Sequence, residues 1–142
     1  MKGSDRRCAW AGLVGPVLAA LAMTGCGDRT YPVEGQVNFK GEGPARELAG
    51  FTVDFELDSD EKKAGATGVI KEDGTFTVGT HKGNDGALLG KHRVALSPPV
   101  ADDDHPRVRS PIPDHYGSFQ NSGLEVEIKA ERNKVVLEVE RK

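Results

Sequence analysis

The chain predicts an all-β domain, a two-layer antiparallel sandwich of seven short strands, and three observations carry that prediction. Apolar and polar residues alternate with period two in several separate runs, the mark of a strand with one buried face. Asp73-Gly74 lies between two such runs, and Asp-Gly favours a tight turn because glycine reaches positive φ without a Cβ penalty. After residue 25 no stretch holds a helical period, and the single candidate, 45–48, amounts to one turn at most.

The first predicted strand begins at Val33, with Val33, Gly35, Val37 and Phe39 inward and Glu34, Gln36, Asn38 and Lys40 outward. Lys40-Gly41-Glu42-Gly43-Pro44 ends it, since two glycines and a proline suit a turn. The second is the clearest, with Phe51, Val53, Phe55 and Leu57 inward against Thr52, Asp54, Glu56 and Asp58. Past a solvated turn at 59–63, a third strand over 66–71 enters the Asp-Gly turn, and Thr75 to Val78 leaves it as the fourth, with Phe76 and Val78 inward. Residues 80–90 are a glycine-bearing loop in which Ala87-Leu88-Leu89 can reach the core.

Strand five covers 91–97, with His92, Val94 and Leu96 on one face and Arg93 and Ala95 on the other. Pro98-Pro99 closes it because proline supplies no ladder donor. From 98 to 123 there is no apolar period, only prolines, charges and glycines, which reads as one long loop. The last two strands place Leu124, Val126 and Ile128, then Val135, Leu137 and Val139, inward, with 131–134 as the hairpin between them.

Ahead of the domain, Lys2, Arg6 and Arg7 against a single Asp5 precede an apolar run over 9–23, the charged head and apolar core of a signal peptide. Gly12, Gly15 and Pro16 interrupt the run, which falls short of the roughly 20 apolar residues of a spanning helix. Leu21-Ala22-Met23-Thr24-Gly25-Cys26 then resembles the lipobox of bacterial lipoproteins, with Met23 where that family prefers Leu. The resemblance implies transfer of a diacylglycerol to the Cys26 thiol and cleavage between Gly25 and Cys26. It divides the chain into a signal peptide (1–25), an acylated cysteine with a polar tether (26–32) and a β domain (33–142). Acyl methylenes contribute about 0.8 kcal/mol each on burial, so two or three chains hold a small domain at a membrane without a protein helix. An exported protein facing the periplasm or cell surface follows, and Gly27 in place of an Asp after the cysteine leans towards the outer membrane. An ordinary secretory cleavage beside a chance cysteine stands as the alternative.

Removal of 1–25 leaves 117 residues, the size of one domain, and moves the formal net charge from −3 to −5 because three basic side chains leave with one acidic one. That balance excludes a basic nucleic-acid footprint. Cys8 and Cys26 are the only cysteines, so the mature domain has no disulfide, no thiol catalysis and no Cys-ligated zinc.

Five segments share an order: Val33-Glu34-Gly35-Gln36-Val37, Phe51-Thr52-Val53-Asp54-Phe55, Glu72-Asp73-Gly74-Thr75-Phe76, Gly90-Lys91-His92-Arg93-Val94 and Ile112-Pro113-Asp114-His115-Tyr116. In that order they resemble the carboxypeptidase regulatory-like, transthyretin-like (prealbumin-like) domains, in particular small bacterial lipoproteins built of one such domain. His92 stands where that family usually has Tyr. The resemblance implies a seven-stranded antiparallel Greek-key β-sandwich of non-catalytic character, without a cofactor. No ligand is implied, because the shared residues are turn and core positions.

Candidate chemistry is sparse. Asp102-Asp103-Asp104-His105 offers oxygen ligands of the kind calcium takes, but consecutive residues do not readily converge on one ion, so a solvated acidic loop is expected and a calcium-stabilised module is an alternative. His81, His92, His105 and His115 lack metal-ligand spacing, and His92 reads as a core histidine. His115-Tyr116-Gly117-Ser118 is similar to the Tyr-Arg-Gly-Ser ending of transthyretin-like hydrolases that open hydroxyisourate, which makes a hydrolase the second alternative. Gly117 replaces the Arg, however, and no early histidine motif appears around 33–39. Ser97, Ser110, Ser118 and Ser122 sit in no nucleophile elbow, and Gly83, Gly86 and Gly90 form no phosphate loop. The function expected is a membrane-anchored cell-envelope lipoprotein with a binding, adhesion or scaffold role towards an envelope protein or polysaccharide. Its recognition surface is expected on the 98–123 loop, at His105, Arg107, Arg109, His115 and Tyr116, because long loops in compact domains are commonly functional.

Overall fold

A computed structural model describes residues 28–142, so the signal peptide, the Gly25–Cys26 cleavage and the Cys26 acylation lie outside the described residues. The chain forms β1 (Thr30–Tyr31), β2 (Val33–Phe39), β3 (Gly43–Pro44), β4 (Thr52–Leu57), β5 (Gly65–Val69), β6 (Thr75–Thr77), β7 (Ala87–Leu88), β8 (Gly90–Ser97), β9 (Leu124–Ile128) and β10 (Asn133–Val139). Strands appear in every predicted stretch, and the protein is all-β. Three two-residue strands, β1, β3 and β7, bring the count to ten rather than seven.

Two four-stranded sheets share one core. One has the order β5-β4-β8-β9; in the other β2 is flanked by β10 on one side and by β3 and β6 on the other. Period-two alternation places the side chains as expected: β2 buries Val33, Val37 and Phe39, and β4 buries Val53, Phe55 and Leu57. Across the core the rings of Phe55 and Phe76 meet edge-on, with centroids 6.2 Å apart. Burying each such side chain contributes roughly 1.5–3 kcal/mol.

One pair departs from the expected antiparallel arrangement. β10 runs parallel to β2, in register from Asn133 beside Val33 to Val139 beside Phe39. β9 and β10 lie in different sheets, so 131–134 is not the expected hairpin; the chain crosses from one sheet to the other between Ile128 and Asn133. Asn133 holds that crossing: its Oδ1 accepts from Lys129 N–H at 2.9 Å, while Nδ2 donates to Lys129 O at 3.0 Å and Glu131 O at 2.7 Å.

The Asp-Gly turn is present in a splayed form. Gly74 takes φ +84°, Lys71 N–H donates to Thr75 O at 2.8 Å, and Asp73 Oδ1 accepts from both the N–H and the hydroxyl of Thr75. In the same register Thr67 and Gly79 exchange two 3.0 Å bonds. Between those points β6 ladders with β2, so the two arms belong to different sheets.

Two boundaries also shift. Thr30 and Tyr31, placed in the tether, pair with Leu88 and Ala87, which themselves reach the core as the sequence allowed. The helical turn expected at 45–48 is a 3-10 turn at Arg46–Leu48 that buries Leu48.

Candidate functional site

The 98–123 loop has two halves of opposite character. Residues 100–109 are exposed throughout. Within them Asp102 closes a tight turn, its Oδ1 accepting from Asp104 N–H at 3.1 Å and His105 N–H at 2.7 Å, with His105 Nδ1 at 2.8 Å. The His105 ring and these N–H groups hold the Asp102 carboxyl below its usual range. That carboxylate therefore faces its own backbone. Among the described residues no three His, Cys, Asp or Glu side chains converge to hold a metal ion, and Asp102, Asp103, Asp104 and His105 do not form such a set.

The second half is fastened to the domain. Ile112 is buried, and a 3-10 turn at Asp114–Gly117 buries Tyr116. Proline at 111 and 113 restrains the approach to this turn. Tyr116 Oη accepts the Glu140 N–H at 3.0 Å, and Lys142 N–H donates to Pro111 O at 2.8 Å. Further on, the buried Ser122 donates its hydroxyl to Val94 O at 2.5 Å and accepts from Leu124 N–H at 3.2 Å. Between these anchors Phe119 lines a cleft with Asp54, Glu56 and Thr67, outward residues of β4 and β5. Ala95, which pairs with Asp54 and was expected on the outward face, is buried there.

Of the five residues proposed for recognition, His105, Arg107 and Arg109 stand on the exposed half. His115 is exposed and lies against the Tyr116 ring, centroids 4.3 Å apart. Tyr116 itself is a core residue with its hydroxyl occupied, which corrects its placement on a recognition surface. The loop thus brings His115 and Tyr116 together and leaves the other three in its open half.

Arg109 borders a shallow cleft of about 570 Å³ with Ser110, Pro111, Arg141 and Lys142. Arg141 joins two carboxylates and an aromatic ring. Its guanidinium sits 4.2 Å from the Phe39 ring centroid, bonds Glu47 at 2.5 Å through Nη1, and bonds Glu42 at 2.9 Å and 3.2 Å through Nη2 and Nε. Glu47 and then Glu42 push its pKa up. Sequence reasoning missed this cluster, because no spacing rule connects a turn near residue 45 with a strand end almost a hundred positions later.

His92 is buried, with Nε2 2.8 Å from Leu88 O. A carbonyl only accepts, so Nε2 carries the proton and Nδ1, which has no partner, is bare. Burial, opposed by the Leu88 bond, lowers the pKa of this ring. Among the described residues no histidine ring bonds a serine hydroxyl, so the nucleophile–base contact of a hydrolytic site is not formed there. The exposed half of the loop carries His105, Arg107 and Arg109. Comparison with family models, with curated proteins and with solved structures gave no match.

Proposed function

We propose that this protein is an exported lipoprotein, anchored in the cell envelope by acyl chains on Cys26, whose β domain is a non-catalytic binding, adhesion or scaffold module. One observation carries the reading: a basic head and apolar run end at Thr24-Gly25-Cys26, and no cysteine occurs after it. A second set of observations is consistent with it. β1 begins at Thr30, only four residues beyond the proposed anchor, so the tether is short and the domain would ride close to the membrane surface. The strand segments resemble the transthyretin-like lipoproteins, and the exposed 100–109 stretch is the surface proposed to meet an envelope protein or polysaccharide. Orientation towards the periplasm or cell surface, with the outer membrane favoured by Gly27, belongs to the same proposal.

Labelling with palmitate in the native host, followed by membrane fractionation, tests the anchor. The parent chain should take up label and sediment with membranes, and Cys26→Ser should do neither. Equal label and equal membrane retention in the Cys26→Ser chain would defeat the reading. Replacing Arg107 and Arg109 together by Glu tests the loop: the anchored protein should lose its envelope cross-links while keeping its melting temperature.

A further inference from the structure

β10 is an edge strand with one side unpaired. Asn133 N–H donates to Pro32 O at 2.9 Å, and Val139 O accepts from Lys40 N–H at 3.0 Å, so the odd-numbered residues of β10 bond towards β2. Glu140 N–H points the other way, to Tyr116 Oη. By alternation the N–H and C=O groups of Lys134, Val136 and Glu138 face away from β2, and among the described residues no strand pairs with them. Val136 is 62% exposed. Inward of it, Val135 is only partly covered, as are Leu124 and Val126 on β9, the edge of the other sheet. This side of the domain leaves apolar surface open on both sheets.

Edge strands are ordinarily protected from pairing by charge. Here the two charges, Lys134 and Glu138, are of opposite sign and lie two residues either side of Val136. Both are exposed, and neither joins an ion pair among the described residues. A second copy laid antiparallel about a twofold axis through Val136 therefore sets Lys134 opposite Glu138 twice, Val136 against Val136, and Val135 against Leu137 on the inner face. The same register pairs every outward N–H and C=O of residues 134, 136 and 138. The two edges of the other sheet do not offer this. β9 presents Glu125 and Glu127 outward, which would repel their own copy, and β5 is bridged at Thr67 to Gly79.

We infer that β10 is a self-recognition surface: a second copy of this chain adds its β10 antiparallel, joining two sheets into one across an isologous twofold interface. The ladder is confined to 134–138, because Tyr116 already holds the Glu140 N–H and the chain turns away ahead of Asn133. The inference does not depend on the acyl anchor.

Oxidative cross-linking of the full chain in cells tests it. Residues paired by hydrogen bonds across an antiparallel ladder have Cα atoms about 5.5 Å apart, within the range a disulfide spans. Val136→Cys should give a disulfide-linked dimer well above the parent chain, and Val69→Cys, an exposed residue on β5, should not. Adding Lys134→Glu or Glu138→Lys to the Val136→Cys chain places like charges opposite each other twice and should weaken association roughly tenfold. The double exchange Lys134→Glu/Glu138→Lys should restore it. Cross-linking no greater than the parent, a double exchange no better than either single one, or capture chiefly of a different protein would each overturn the inference.

Discussion

The hydroxyl of Tyr116 accepts the backbone N–H of Glu140 at 3.0 Å, tying the second half of the long loop to the end of β10. That bond divides a segment without sequence periodicity into a fastened part and an open part. Tyr116→Phe keeps the buried ring and removes only the acceptor, so it should cost about 1 kcal/mol in urea unfolding. Tyr116→Ala also empties the ring's site and should cost about 3–5 kcal/mol. Amide exchange should separate the halves, with 100–109 exchanging freely and Tyr116, Ser122 and Glu140 protected; uniform fast exchange from 100 to 122 would contradict this division.

Gly35 is a packing position rather than a turn. A Cβ built there would lie 2.1 Å from Cζ of Phe76, whose ring is fully buried and already set against Phe55. The ring must shift to admit the methyl, so Gly35→Ala should destabilise by about 1–3 kcal/mol through overpacking. Gly35→Ala with Phe76→Leu should lose less than the two single losses added together, because the smaller side chain makes room for the methyl. Strictly additive losses in a double-mutant cycle would show that the two positions are not in contact.

Asn133 supports a connection that the pattern of residues does not reveal. Its amide bonds three backbone groups of the 129–131 crossing from a buried site. Asn133→Ala should leave those groups to water or to nothing, lowering stability by about 1–3 kcal/mol. Asn133→Asp keeps the acceptor for Lys129 N–H but sets a carboxylate against two carbonyls, so it should be no better than Ala at neutral pH. Thermal melts of the three chains check the order.

Strand positions were legible because the two-residue period acts within each segment: Val33 to Phe39 and Thr52 to Leu57 announce their own buried faces. Partner choice was not, since alternation says which face is buried and nothing about which strand lies alongside. The parallel β2–β10 pair and the change of sheet between β9 and β10 therefore escaped sequence reasoning. The short β1–β7 pair was equally silent, as two residues carry no period. For the candidate site, His105, Arg107 and Arg109 are proposed by residue type and lie on the exposed half of the loop. Tyr116 was misplaced because a lone tyrosine among prolines and charges gives no sign of burial, whereas Ile112 four residues earlier was a fair hint of it.

His92 should make the fold sensitive to mild acid. The ring is 1% exposed, and burial lowers its pKa from the ordinary 6.5, with the Leu88 carbonyl opposing the shift only in part. The unfolded chain takes up this proton near pH 6.5 and the folded chain only at lower pH, so the unfolded state binds more protons in between. Stability is then complete above about pH 6.5 and falls as pH drops towards the folded pKa, by up to about 1.4 kcal/mol per pH unit for one proton. The carboxylates held low by hydrogen bonds, Asp73, Asp85, Asp102 and Glu140, act in the same sense but at lower pH, losing their contribution only as pH falls below the ordinary 3.8 for Asp and 4.5 for Glu. The window from pH 7 to pH 5 thus isolates the histidine among these shifted groups. His92→Gln keeps a donor for Leu88 O without titrating, and urea midpoints of that variant should vary less from pH 7 to pH 5 than those of the parent. Equal slopes in the two chains would mean that the proton reaches His92 without unfolding the core around it.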